Sequence, residues 1–294
     1  MSNSTSSWQR RTVLAALSSV GTVGVASGVA SAGSGRGTEK SGEDNNRPSE
    51  QKRTIDLDKD EPTVDRQQAL ARSAIAPDAT LSNPSPPDGD LTYVAGWEDD
   101  WQSELGCTFA SDGTVEYDHH CYVWMLDEGT GDPPTDGDGN YRYVIELYAS
   151  AQRLEDSGLG CSGPYVDHLM SHVECNPDSA SADLEFHDRN PDSIHSYNSQ
   201  PVTLSMSGEY GDVGFGFSWT QSWHEGYYGQ DEYSPGVGGE YAVYWKNDDG
   251  DPEDEGVQGF VEISFPYEID FDGWPYTGLS WTPDGTSFTS GDPR

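Results

Sequence analysis

The chain has 294 residues, 33% hydrophobic and 11% aromatic, with 15 Lys/Arg against 52 Asp/Glu and a formal net charge of −37. So acidic a chain has nothing with which to neutralise phosphates, which excludes a nucleic-acid binder. The length leaves room for one folded body of about 200 residues behind a leader.

The charge is divided unevenly. Residues 1–72 hold ten Lys/Arg and nine Asp/Glu of the chain's 15 and 52, leaving five and 43 for residues 73–294, where Lys246 is the only lysine. The chain opens with Ser7-Trp8-Gln9-Arg10-Arg11-Thr12-Val13-Leu14, followed by a weakly apolar Ala/Val/Gly/Ser run with no charge until Arg36. This resembles a twin-arginine (Tat) signal peptide over residues 1–32. Arg10 and Arg11 form the arginine pair, and Ala30 and Ala32 flank the cleavage site of the A-x-A type. The run is too rich in Gly and Ser to span a membrane, which takes ~20 strongly apolar residues. The resemblance implies the Tat translocase as export partner, a secreted location, and no transmembrane anchor in the mature chain.

Residues 33–90 read as a disordered linker or propeptide. The stretch is polar, has few apolar residues and is broken by Pro77, Pro84, Pro86 and Pro87, so it has little surface with which to offset its ordering entropy. Within it, residues 66–72 carry a short helical pattern. The acid-rich, lysine-poor remainder resembles secreted proteins of extremely halophilic archaea. At molar salt the Debye length shrinks to ~3 Å, so dense carboxylates hydrate the surface without strong mutual repulsion.

Residues 91–294 hold eight of the nine Trp and all sixteen Tyr. Strand-like runs recur at 117–126, 141–149, 202–206, 213–219, 241–245, 257–265 and 279–282, bounded by Gly, Pro, Asn and Asp clusters. Tyr143, Ile145 and Leu147 share one face, as do Val213, Phe215, Phe217 and Trp219, and Val257, Val261, Ile263 and Phe265. That period of two marks half-buried strands. The expected fold is a mainly β body, an antiparallel sandwich or open barrel. It carries one short helix over 164–173, where Tyr165, Val166, Leu169, Met170 and Val173 recur at helical spacing behind Ser162 and Pro164.

An even cysteine count in an exported chain predicts two disulfides among Cys107, Cys121, Cys161 and Cys175, with the pairing open. Zinc on these cysteines is disfavoured because no Cys-x(2–4)-Cys pair occurs. On the expected helix, His168 and His172 are four apart and could chelate a metal, although the plainer reading leaves both on its solvated side. Asp132, Asp136, Asp138 and Asn140 resemble a calcium loop, as do residues 248–255 more loosely; counted from Asp136, Tyr141 and Leu147 occupy the positions where an EF-hand needs Gly and Glu. Trp219, Trp223, Tyr227 and Tyr228 are candidates for a ligand-stacking patch. Core packing is the competing use of the aromatics.

No G-x-S-x-G elbow, P-loop or dinucleotide fingerprint occurs. The expected function is therefore a non-catalytic extracellular binding or surface protein with an envelope or glycan ligand. Two other readings stand beside it. The layout of signal, intervening segment and cysteine-containing body is similar to that of archaeal halocin precursors, which implies a processed effector. The third reading is a secreted hydrolase whose site the sequence does not disclose.

Overall fold

Alternating apolar residues can be buried only if a second apolar face covers them, and here two sheets supply those faces to each other. The structure, a computed structural model, describes residues 51–72, 90–105, 113–127, 135, 137–155, 162–176, 183–193, 195–197, 202–210, 213–221, 226–248, 250–271 and 276–289. All lie in one unit spanning Asp44–Arg294. In chain order the elements are β1 (Gln51–Lys52), β2 (Ile55–Asp56), α1 (Arg66–Arg72), β3 (Asp90–Leu105), β4 (Gly113–Asp127), β5 (Tyr141–Glu155), β6 (Tyr165–Cys175), β7 (Glu185–Asn190) and β8 (His195–Tyr197). They continue with β9 (Val202–Tyr210), β10 (Val213–Gln221), β11 (Gly226–Ser234), β12 (Gly236–Val237), β13 (Glu240–Asn247), β14 (Asp254–Phe265) and β15 (Leu279–Phe288).

One sheet runs β1-β15-β6-β13-β11-β8 with β2 also on β15; the other runs β12-β7-β14-β5-β4-β3, and β9 and β10 pair as a separate hairpin. Every pairing is antiparallel. The result is the sandwich form of the expected β body. No helix among the described residues is long and apolar enough to cross a membrane.

The two sheets meet over a core rich in aromatics, including Trp97, Tyr117, Tyr143, Tyr228, Tyr241, Trp245 and Trp281, each at most 1% exposed. Such rings are too large to oppose one another at every position, so glycine makes room. A Cβ on Gly259 of β14 would sit 2.6 Å from the Tyr241 hydroxyl and 2.8 Å from Val243 Cβ, both on β13. A Cβ on Gly285 of β15 would lie 2.5 Å from the ring of Tyr117 on β4. Tyr228 also reaches across, its hydroxyl donating to the Gln258 carbonyl at 3.2 Å.

The expected helix over 164–173 is instead the central strand β6, flanked by β15 and β13. The helical spacing was produced by burial on both faces. Leu169 and Val173 join the main core, whereas Met170 packs with Ala242 and Tyr244 in a separate cluster. A strand covered on both sides loses its alternation and can mimic a helical period. Among the described residues the one helix is α1, at the position of the short pattern in residues 66–72.

Residues 51–72 also correct the reading of 33–90 as a linker throughout. β1 and β2 add to the edge of β15, and Ile55 and Leu57 enter the main core. The chain then crosses to the other sheet, where Val64 and Ala69 cover Tyr122 and Trp124. Polar contacts tie down each step. Asp58 accepts hydrogen bonds from Thr277 N and Oγ1, both at 2.9 Å, and from Gly278 N at 2.6 Å. Trp97 donates to the Asp60 carbonyl and Tyr93 to that of Val64. Asp65 caps α1 by accepting from Gln67 N and Gln68 N, while Gln68 Oε1 accepts from Asp65 N, a reciprocal capping box. Burying Ile55 and Leu57 contributes roughly 1.5–3 kcal/mol per side chain. A short polar-rich segment is thus ordered by what it packs on, and a cut in 73–90 would leave these contacts standing.

Two stability predictions follow from these contacts. Gly259→Ala should lower the unfolding free energy by about 1–3 kcal/mol through overpacking between the sheets. Asp58→Ala, which strands the Thr277 and Gly278 donors, should cost about 2 kcal/mol. Chemical denaturation at fixed high salt measures both, and limited proteolysis of Asp58→Ala should cut first within residues 51–72.

Candidate functional site

A cleft of about 360 Å³ opens between residues 51–72 and the second sheet, lined by Pro62, Val94, Ala95, Glu268, Ile269, Asp270 and Phe271. Three separated segments build it. Pro62 comes from the stretch that crosses between sheets. Val94 sits where the β3–β4 register slips between Tyr93 and Ala95; such a bulge re-aims side chains locally. Residues 268–271 follow β14. Buried apolar side chains lie beneath the cleft: Ala95, Ile269 and Phe271, of which Phe271 meets Trp97 edge to face with centroids 4.9 Å apart. Glu268 and Asp270 are exposed at the rim, and Tyr267 beside them is 47% exposed. Tyr143 holds this loop from inside, donating to the Tyr267 carbonyl at 3.3 Å and accepting from Ile269 N at 2.9 Å. The alternation Tyr267-Glu268-Ile269-Asp270-Phe271 is visible in sequence, but nothing local shows that a distant bulge and Pro62 face it.

His168 and His172 lie on strand β6, not a helix. Four residues along a strand is about 13 Å, so the pair cannot share an ion. His168 packs near Tyr244, with ring centroids 6.4 Å apart. His172 meets other company. Its Nε2 lies 3.6 Å from Glu240 Oε2 and 3.9 Å from Glu232 Oε2. Glu232 and Glu240 escaped notice in sequence because 43 acidic residues after position 72 hide any particular two.

His119 and His120 are neighbours on β4 that face opposite ways, as strand geometry requires. His119 stacks on Trp101 at 4.7 Å and its Nε2 donates to the Asp284 carbonyl at 3.1 Å. Burial pushes its pKa down to about 3, against the opposing effect of that hydrogen bond. His120 is stacked between Tyr122 and Tyr148, at 4.2 and 4.7 Å. Neither of its ring nitrogens has a hydrogen-bond partner. Burial, with Arg72 and His119 adding to it, holds its pKa well below the usual histidine range. Both rings are neutral core components.

The disulfide expectation is not met where it can be checked: Cys121 and Cys175 are buried free thiols, and Cys107 and Cys161 lie outside the described residues. Burial raises both thiol pKa values, that of Cys175 to about 11, with the Asp58 charge adding to the rise there. Cys175 also donates to the Thr277 carbonyl at 3.4 Å.

Of the calcium-loop candidates, Asp138 and Asn140 lie in the turn before β5, while Asp132 and Asp136 fall outside the described residues. In the second acidic loop, Asn247 closes the turn itself, accepting from Gly250 N at 3.0 Å and donating to its carbonyl at 2.9 Å. The aromatic patch divides. Tyr228 is fully buried core and Tyr227 is 40% exposed. Trp219 sits on β10 opposite Leu204, with its side chain outside the description, and Trp223 is outside altogether. Arg10, Arg11, Ala30 and Ala32 of the signal also lie outside the described residues.

No protein-family model and no curated protein matches the chain. Two solved structures show a coarse likeness. One is described as a "Pore forming protein", at 9% identity and TM-score 0.30, covering 69% of this chain and 93% of that one. The other is Clostridium perfringens delta-toxin, at 9% identity and TM-score 0.29, covering 61% and 78%. Likenesses this weak carry no argument here.

The buried histidines predict an acid-side loss of stability. Their folded pKa values lie below the unfolded value of about 6.5, so from there down towards pH 3 only the unfolded chain takes up these protons. Stability contributed by their burial is complete above pH ~6.5 and is lost as pH falls. His120→Phe keeps the stack, removes two unpartnered nitrogens, and should flatten the slope between pH 6.5 and 5 by up to about 1.4 kcal/mol per pH unit. Denaturation curves of both proteins across that range, at constant salt, test it.

Proposed function

We propose that this chain is a Tat-exported, salt-adapted extracellular binding protein, and that the Glu268–Asp270 cleft, with Tyr267 beside it, receives a neutral, hydroxyl-rich glycan of the cell envelope. The observation that carries the reading is the cleft's construction: two carboxylates, Glu268 and Asp270, over buried apolar side chains, with the exposed ring of Tyr267 next to Glu268 in the chain. A sugar ring has an apolar C–H face that stacks on an aromatic side chain and hydroxyls that donate to carboxylates. The cleft's accessible lining is mainly polar, which suits a ligand rich in hydroxyls. The acidic surface disfavours a polyanionic ligand at low salt and tolerates a neutral one in brine. Tyr143 locks the loop backbone, so binding there orders little new structure, which favours affinity. The twin-arginine signal pattern and the acid-rich body support the extracellular, high-salt setting.

Retention of the protein on envelope and neutral polysaccharide fractions in molar salt, with release by soluble sugar, is the expected outcome. Tyr267→Ala, at an exposed position that leaves the fold intact, should weaken retention about tenfold, or about 1.4 kcal/mol. Retention by no fraction, or retention unchanged in Tyr267→Ala, would refute the reading.

A further inference from the structure

We propose that His172, Glu232 and Glu240 bind one divalent transition-metal ion of the zinc and manganese class. Three adjacent strands each supply one donor: His172 from β6, Glu240 from β13 and Glu232 from β11. The β6–β13 register pairs His172 with Ala242 and Glu174 with Glu240, so His172 and Glu240 are diagonal neighbours on one face. On β11 the register slips between Gln230 and Tyr233, and Glu232 lies inside that irregularity. A regular β11 would fix the direction of residue 232 by simple alternation; the bulge turns it towards the other two.

The geometry is that of ligands around a centre. The three donor atoms all lie within 4.8 Å of one another. Around a tetrahedral zinc with bonds of about 2.1 Å, neighbouring donors stand roughly 3.4 Å apart. The observed 3.6 and 3.9 Å from Nε2 to the carboxylates are close to that spacing and too long for hydrogen bonds. Nε2 has no hydrogen-bond partner, although the residue is only 9% exposed. A buried polar atom left so, aimed at two carboxylates it does not bond, is costly unless something sits between them. Its own face carries further negative charge from Glu174, directly across from Glu240. One imidazole and two carboxylates give a neutral site on a divalent ion. The imidazole favours zinc or cobalt over calcium and magnesium, which prefer oxygen donors alone, while the two carboxylates also admit manganese. Glu232 is the exposed member, its side chain 58% accessible, so three protein donors leave a coordination position open towards solvent for water or an oxygen ligand.

The site is independent of the glycan reading and is tested without it. Chelator-treated protein in molar KCl, where loose carboxylate binding is suppressed, is titrated with Co²⁺ alone and followed by visible absorbance, then with Zn²⁺ as competitor. The expected result is one equivalent bound, with a visible band of low-coordinate cobalt that Zn²⁺ abolishes. His172→Ala should remove the band, and Glu232→Gln and Glu240→Gln should each weaken binding at least tenfold. If His172→Ala does not fold, the Glu232→Gln variant decides, because that side chain is exposed. No uptake by the parent protein, or many weak equivalents indifferent to the two glutamine variants, would overturn the assignment. Glycan retention is read in separate samples on the Tyr267→Ala variant, so the two conclusions fail separately.

Discussion

The contact on which the rest of the structure depends is the docking of residues 51–72 across both sheets. Asp58 fixes this segment to the start of β15 through three hydrogen bonds, from Thr277 N and Oγ1 and from Gly278 N. Leu57, just before Asp58, enters the main core, and beyond Asp60, which accepts from Trp97, the chain lays α1 over Tyr122 and Trp124. A sandwich has two outer faces as well as an inner one. The second sheet here carries large aromatics on its outer face, which need a cover, and this segment is what covers them. Pro62, halfway along, then becomes one wall of the cleft. The proposed binding site therefore exists only when the segment is docked.

Inside the sandwich the governing constraint is the size of the rings. A core built from Trp and Tyr gains much area per residue but tolerates little error in spacing. Gly259 and Gly285 are the positions where a ring on the facing sheet comes close to the backbone. His119 and His120 belong to the same economy of flat surfaces: each is used as a stacking ring, and desolvation keeps it uncharged. A few carboxylates do enter this interior and are held by donors there: Glu146 accepts from Trp124 Nε1 and Gln258 Nε2, and Glu262 from Arg142. The rest of the negative charge lies mostly on solvated positions, so the fold depends on aromatic packing and hydrogen bonding.

The two candidate sites differ in how readable they were. The cleft loop had a visible alternation, yet its partners come from residues 62, 94 and 95, about 170 to 200 positions earlier in the chain. The His172 cluster was half visible. The histidine stood out, but its apparent partner was His168, chosen on helical spacing. Once residues 165–175 form a strand buried on both faces, the neighbours of His172 come from β13 and β11 across the sheet. Helix partners can be read from spacing along the chain. Strand partners are set by register, and a bulge such as that at residues 230–233 shifts register without a sequence mark of its own.

Some properties followed from the sequence alone, because each depends on composition or local periodicity. These are the β class of the body and the strands with clean alternation at 141–149 and 257–265. Others were decided only in three dimensions. Cys121 on β4 and Cys175 on β6 are buried free thiols in different sheets; an even count said only that pairing was arithmetically available. Residues 51–72 are ordered although their composition suggested a linker, because the surface that stabilises them belongs to β15, β3 and β4. In both cases the deciding free energy comes from contacts made far away in the chain, which composition and spacing do not encode.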